Sequence, residues 1–468
     1  MARAVTDEEK ALAQELLGKA RAALKVMYDY DQARVDNLCR GVGWATANEK
    51  TFVALTQMSV DESKMGSADG GPARRFKIVG ILRDALRQKS IGIIEEVQEK
   101  GIVKYAKPAG VIAGLLPVTN PVVTMVAMAI NALKCRDAVI FSPHPASRRT
   151  ALEATRILRA ALKKQGVPED AIQCIEKPSI PLAQELMSIC DLTVATGGPA
   201  MVKAAYGSGK PAYGVGAGNA TMIIDETANI AEAAANTRIS KTHNNGSGCS
   251  CDGNLVVEDS IYEAFLEQLQ KEGGYLASPE DKARLKAVMW DAENHRTLET
   301  VARSAATIAD VAGFPLPTGK TFIIVKEDHI GKEHVFSGEK LSPVLAIFRY
   351  SGFETALNMI QQIFEVGGKG HSCGIYSFDE KHIHRLALVA PVSRIMVRQP
   401  QVRGNAGSFT NGMPMTASLG CGTWGGNITS ENIGVKHFMN VTWVSQPIPE
   451  DKPTEKEIFG DFFNSEIL

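Results

Sequence analysis

Residues 192–215 read LTVATGGPAMVKAAYGSGKPAYGV, and their texture decides the fold. The apolar run Leu192–Ala195 predicts a buried strand. Thr196-Gly197-Gly198 then makes a turn, and Pro199 suits the first position of a helix over Pro199–Ala205. Ala212–Val215 is a second strand. Strand, helix and strand within 24 residues form the unit of a parallel α/β sheet. The alternation extends outward. Val111–Leu116, Ala138–Phe141, Ala171–Ile175 and Met222–Ile224 read as strands, with helices predicted over Thr150–Lys164 and Pro181–Ile189. In such a sheet the ligand lies beyond the carboxyl ends of the strands.

A second α/β unit follows, with a helix over 227–240 and strands near Leu255–Val257, Phe322–Val325, Val344–Phe348 and Arg394–Val397. Residues 6–105 read as helix-rich. Asp7-Glu8-Glu9 favour a helix N-terminus there, and Met65–Arg75 reads as a loop. Near the end, His437–Val444 alternates like a strand with nothing local beside it, so it is expected to pair with another segment or subunit.

Length and charge narrow the function. At ~150 residues per domain, 468 residues suggest about three domains. The 51 Lys+Arg against 52 Asp+Glu argue against a nucleic-acid partner. The most apolar region, Gly110–Leu133, is broken by Pro117, Thr119, Asn120 and Pro121, so neither piece reaches the ~20 residues of a membrane span. Met1–Lys19 is charged throughout and lacks a secretory apolar core. Eight cysteines scattered over a chain of this kind predict a reduced, cytoplasmic protein. Without a CxxC pair, no structural metal is expected.

Two segments suggest chemistry. Gly214–Asn219 (GVGAGN) looks like a dinucleotide fingerprint, but a strand-like run follows it instead of a helix. It predicts a loop of close backbone contacts. The Thr196-Gly197-Gly198 turn fits a phosphate at a helix N-terminus and fits an ordinary strand–helix turn as well. The second segment, KTHNNGSGCSCDGN over 241–254, places two thiols in a polar, glycine-rich turn. A reactive thiolate needs access, backbone donors and nearby positive charge. An exposed turn with adventitious thiols fits the composition equally.

Taken together, these segments resemble the aldehyde dehydrogenase superfamily, in its CoA-acylating branch. The resemblance covers nearly the whole chain and rests on eight stretches in order: PVTNP (117–121), FSPHP (141–145), ATGGP (195–199), GVGAGN (214–219), KTHNNGSGC (241–249), EKLSPVL (339–345), Gly370-His371 and LGCGTWGGN (419–427). It implies two Rossmann-type α/β domains and a small β oligomerisation element. The expected division is a nucleotide-binding domain over 1–226 with an oligomerisation hairpin near 98–110, a catalytic domain over 227–430, and a strand and tail over 431–468. A homodimer or homotetramer is implied.

The resemblance also implies roles. Cys249 matches the nucleophile and Asn120 the amide that, with the Cys249 backbone N–H, holds the oxyanion. Glu339 matches the residue on the nicotinamide ribose, and Thr196, Gly197 and Gly198 the helix start at the pyrophosphate. Thr119, Gly216 and Pro343 complete the expected surface for NAD or NADP. His371 is the candidate acid or base toward the CoA thiol, and Cys251 is a spectator. Ser142 stands where many relatives carry a lysine on the adenosine ribose, which leaves NAD versus NADP open. Gly214 stands where hydrolytic relatives carry a glutamate that activates water, so transfer to CoA is expected instead.

The turn His243, Asn244 and Ser247 and the pair Arg398 and Arg403 distinguish the chain from acetaldehyde-type relatives, which carry small hydroxyl residues at the arginine positions. Arginines suit an anionic substrate tail. The pattern most resembles the members that convert sulfoacetaldehyde to sulfoacetyl-CoA. The alternatives are acetaldehyde or propionaldehyde as substrate, and a catalytically silent scaffold of the same fold.

Overall fold

The computed structural model describes residues 3–464. Two parallel sheets organise it. The first has five strands in the order Ile172–Cys174, Ala138–Ser142, Val111–Leu115, Leu192–Thr196, Ala212–Val215. The order reverses at Val111–Leu115, whose neighbours run to opposite sides of it, and the crevice beyond its carboxyl end is where such sheets bind ligands. The chain leaves that end through Thr119 and Asn120 into the helix Pro121–Lys134, every residue of which is buried. This accounts for the broken apolar region. It is a core strand and a core helix, and no helix among the described residues is long and apolar enough to cross a membrane.

The second sheet has seven strands in the order Gly274–Leu276, Phe322–Lys326, Val344–Tyr350, Asn254–Glu258, Thr221–Ile224, Cys373–Tyr376, Ile395–Val397. Thr221–Ile224, which follows the last strand of the first sheet in the chain, belongs to this sheet. Two strands of this sheet, Gly274–Leu276 and Cys373–Tyr376, were not anticipated from the sequence.

Helices fill most of the N-terminal region, with Asp7–Met27 opening on a capping box between Thr6 and Glu9. The helical reading of 6–105 fails at its end. Gly92–Val97 and Ile102–Pro108 form an antiparallel hairpin, six residues earlier in its start than the one expected near 98–110. Gly92–Val97 is exposed or half-buried throughout, with no buried alternate face to give a strand signal. The strand Met439–Ser445 pairs antiparallel with Ile102–Pro108, so the terminal strand finds its partner within its own chain. Just before it, Ile433, Val435 and Phe438 join the core of the first domain, which ties the C-terminal segment back across the molecule.

Candidate active site

The turn carrying Cys249 begins where the helix Ile230–Thr242 stops at His243. Asn244, Asn245 and Gly246 follow with φ of 49°, 55° and 66°. Asparagine tolerates this left-handed conformation better than most residues. Gly246 is required outright, because a Cβ there would lie 2.4 Å from the Ser342 carbonyl oxygen and 3.0 Å from the Pro343 nitrogen. The turn is thereby pressed against the Glu339–Pro343 stretch. On its other side the GVGAGN loop lies backbone to backbone on the nucleophile: a Cβ at Gly218 would sit 2.0 Å from the Cys249 carbonyl oxygen. Gly218 serves this approach, and the strand Thr221–Ile224 follows, as the failed fingerprint implied.

Cys249 is half-buried, and its Sγ lies 3.1 Å from His371 Nε2. Among the described residues no cation pairs with it. Burial, then Glu339 and the neighbouring cysteines, push its thiol up to about 12. The charge of nearby Arg394 is outweighed by burial, and the resting group is a thiol that a base must deprotonate as it attacks. His371 is fully buried, and burial, then Arg394, hold its imidazole down to about 3, so it is neutral. A neutral imidazole touching a thiol can act as its base when Nε2 carries the lone pair. Arg394 fixes it from behind, donating to the His371 carbonyl at 2.9 Å, to Gly420 O at 2.5 Å and to Asn432 Oδ1 at 2.8 Å. The LGCGTWGGN loop is thus part of the scaffold of His371: a Cβ at Gly370 would meet Cys421 O at 1.8 Å. Cys251 is buried, with its own thiol also pushed up to about 12.

Thr119, Ser142, Thr196 and Gly216 all stand at or just beyond carboxyl ends of the first sheet. Thr119 O accepts from Asn244 Nδ2 at 3.5 Å, which brings the Asn120 segment against the catalytic turn. Asn120 is exposed at the start of the helix Pro121–Lys134 and its side chain makes no capping bond. Ser142 is buried. The Thr196 hydroxyl is 2.7 Å from Ser418 Oγ, and Gly198 has open space where a Cβ would stand. A cleft of about 560 Å³ opens here, lined by Pro199, Lys203, Gly216, Phe364 and Trp424 among others. A bare helix start, a lysine and two aromatic faces fit a dinucleotide's phosphates and rings. Glu339 accepts from Gly218 N at 3.1 Å and pairs with Arg296 at 2.9 Å, so the carboxylate reaches the loop that touches Cys249.

The surroundings of His243 are cationic. Arg74 donates to Asn244 Oδ1 at 2.7 Å, and Asn244 Nδ2 donates to Ser247 Oγ at 2.8 Å, joining the short helix Gly71–Arg74, in a stretch expected to be a loop, to the Cys249 turn. Burial, followed by Arg74, Arg403 and Lys77, holds His243 down to about 4. Lys77 donates to the Ala406 and Gly407 carbonyls and is itself lowered to about 8, chiefly by burial. Arg403 is exposed, one residue from Val402, whose side chain packs beside Gly248. Arg398 is turned elsewhere: it donates to the Ser377 carbonyl at 2.6 Å and lies over the Phe378 ring. Of the two arginines singled out in the sequence, only Arg403 stands in this cluster, and Arg74 and Lys77 join it unannounced.

Gly214 has no room for a side chain. A Cβ would meet Val202 at 2.8 Å and the Tyr206 ring at 3.0 Å, and the Tyr206 hydroxyl bridges Gly214 N and O. A water-activating carboxylate cannot stand here without rebuilding the strand–helix contact.

The two depressed imidazoles carry a stability prediction. His371 and His243 protonate near the ordinary 6.5 in the unfolded chain but only near 3 and 4 in the fold. The unfolded state therefore binds more protons below pH 6.5, and stability falls as pH drops from there toward 4. Calorimetry from pH 7 to 5 is expected to show a falling unfolding temperature, with a shallower slope in His371→Asn. An equal slope in both proteins would contradict these burials.

Comparison with known proteins agrees with the geometry. The model of the aldehyde dehydrogenase family matches residues 4–444. The chain is 43% identical to sulfoacetaldehyde dehydrogenase of Acholeplasma sp over 95% of its length and 93% of that protein's. It is 40% identical to sulfoacetaldehyde dehydrogenase (acylating) of Bilophila wadsworthia, over 96% and 98% of the two chains. Among solved structures, an acetylating aldehyde dehydrogenase from Geobacillus thermoglucosidasius superposes with a TM-score of 0.92 at 34% identity, covering 96% of this chain and 99% of that one. The chain belongs to the aldehyde dehydrogenase family, among its acylating members.

Proposed function

We propose that the chain oxidises a small anionic aldehyde, sulfoacetaldehyde, with NAD or NADP and coenzyme A to the acyl-CoA. The observation that carries the chemistry is the Cys249–His371 pair at 3.1 Å in a site with no room for a base at Gly214. His371 Nε2 takes the thiol proton as Cys249 Sγ bonds to the aldehyde carbon, and the new oxyanion meets Asn120 and the Cys249 N–H. The nicotinamide supplies the hydride acceptor when bound, with Glu339 on its ribose. The product on Cys249 is a thioester. His371 releases that first proton to solvent. Water lacks a carboxylate to activate it, so the thioester waits for the CoA thiol, whose proton goes to the neutral His371 and then to the departing Cys249 sulfur. An intact nucleophile and base speak against a silent scaffold.

The substrate reading rests on the cations about His243. Arg403 offers charge-assisted hydrogen bonds to a sulfonate, and Arg74 and Lys77 add to the field. One such bond is worth about 1.5–3 kcal/mol, or roughly 10- to 100-fold. Arg403→Ala is expected to raise KM for sulfoacetaldehyde by about that factor and to leave acetaldehyde within about twofold. Assays of both aldehydes with and without CoA test it; equal effects on the two would contradict an anionic tail at this site. A reduced cytoplasm suits a free nucleophilic thiol. The outer strand Met439–Ser445, with exposed Val441, Trp443 and Val444, supports a homodimer or homotetramer.

A further inference from the structure

Behind His371 lies a chain of buried polar side chains that no step above uses. His371 Nδ1 is 2.8 Å from Ser372 Oγ, and Asn405 Nδ2 donates to that same oxygen at 2.9 Å. Asn405 Nδ2 also faces Gln401 Oε1 at 3.4 Å, while Gln401 Nε2 donates to Asp252 Oδ1 at 2.9 Å and to the Thr221 carbonyl at 3.1 Å. Ser372, Asn405, Gln401 and Asp252 are all buried. At the end nearest the site, Asn405 Oδ1 is buried with no hydrogen-bond partner.

The protons in this chain can be counted. Ser372 has one hydroxyl proton, and its oxygen already accepts from Asn405. The oxygen keeps a second lone pair, but the buried hydroxyl proton needs an acceptor, and among the described residues His371 Nδ1 is the one within hydrogen-bond distance, so the resting proton is assigned to that contact. That places the imidazole proton on Nε2, facing the sulfur. This tautomer donates to Cys249 and cannot take its proton. The base needs the opposite arrangement, with the proton on Nδ1 given to Ser372 Oγ and a lone pair on Nε2. Ser372 must then send its own proton to an acceptor. Asn405 supplies one if its amide turns over and presents Oδ1. Either orientation leaves one end of the amide without a partner, so neither is locked, and only the 3.4 Å contact to Gln401 holds the resting one.

We propose that Asn405, acting through Ser372, is a positioning residue that selects the tautomer of His371, and that the working enzyme presents the Asn405 carbonyl oxygen to Ser372. Turnover then passes through a small reorientation remote from the substrate. No bond to carbon is made or broken by it. The hydroxyl proton of Ser372 swings from Nδ1 to Asn405 Oδ1, the imidazole gives its Nε2 proton to solvent and takes one back on Nδ1, and His371 Nε2 becomes free to accept the thiol proton.

This rests on the reading of Cys249 and His371 as nucleophile and base. The test compares Asn405→Ala, Asn405→Asp and Ser372→Ala in the full-length enzyme. Positioned acid–base catalysis contributes about 10²–10⁴-fold, and mis-setting its tautomer is expected to cost about 10- to 100-fold. Asn405→Ala and Ser372→Ala should lower kcat by that factor, with KM for aldehyde and cofactor unchanged. Both should slow iodoacetamide alkylation of Cys249 in parallel. Asn405→Asp, which offers only acceptors, should recover most of kcat and of the alkylation rate. If Asp and Ala at 405 are equally impaired while unfolding at the parental temperature, Asn405 does not set the tautomer. The proposal is equally overturned if Ser372→Ala, which removes the hydroxyl at little steric cost, keeps the parental kcat. Loss of the alkylation difference between parent and Cys249→Ala would instead overturn the underlying reading of the nucleophile.

Discussion

Cys249→Ala is expected to lower kcat by more than about 10⁴-fold, because no other group in the site can carry the acyl chain. Cys251, two residues on, does not substitute: it is buried, its thiol points toward the His243 carbonyl at 3.9 Å, and no imidazole nitrogen is bonded to it among the described residues. The loss should be confined to chemistry. The cleft between the helix Pro199–Tyr206 and the 423–426 turn is built without the Cys249 side chain, so reduced cofactor should bind with unchanged affinity, as fluorescence titration would read. Cys251→Ala, the matched control, should keep kcat within about threefold, the scale of a buried thiol lost from packing rather than from chemistry. A dead Cys251→Ala with an active Cys249→Ala would reverse the assignment.

The second large effect is expected at Asn120. Replacing one oxyanion donor costs about 10²–10³-fold in kcat. Here the cost can be read cleanly. A side chain at a helix N-cap ordinarily contributes about 1 kcal/mol to stability, but the Asn120 amide makes no capping bond. Asn120→Ala should therefore lower kcat strongly while moving the unfolding temperature by little. Asn120→Asp should be worse still, since a carboxylate would repel the oxyanion that the amide stabilises. A fall in kcat that tracks a fall in stability would mean that Asn120 holds the helix instead.

How much of this was legible depends on the range of the interactions. The strands of the first sheet could be read because each is buried on both faces and so appears as a continuous apolar run, Val111–Leu115 being the clearest. The strand Gly92–Val97 fell outside the hairpin expected near 98–110 because its residues are largely exposed and carry no such run. Cys373–Tyr376 was missed because four residues after a glycine-rich turn give too short a pattern. At the site, Cys249 announced itself through the polar, glycine-rich turn around it. That it rests as a thiol could not be read, since this depends on how deeply the folded chain buries the turn. Arg74 gave no signal either: it meets Asn244 from 170 positions away, out of a loop that reads as a connector. Arg398 misled for the same reason. Its side chain follows the strand Ile395–Val397 to Phe378, away from its near neighbour Arg403. The Ser372–Asn405–Gln401 chain is made of commonplace polar residues, and only their distances give it meaning.

The central claim is that the acyl group rests on Cys249 until a thiol collects it. Intact-mass and peptide mass spectrometry of the enzyme after a single turnover of sulfoacetaldehyde and oxidised cofactor, without CoA, tests this most directly. The expected result is an acyl adduct on the Cys249 peptide that persists without CoA and is chased to sulfoacetyl-CoA when CoA is added. Release of free acid at the same rate with and without CoA, with no adduct on that peptide, would contradict it.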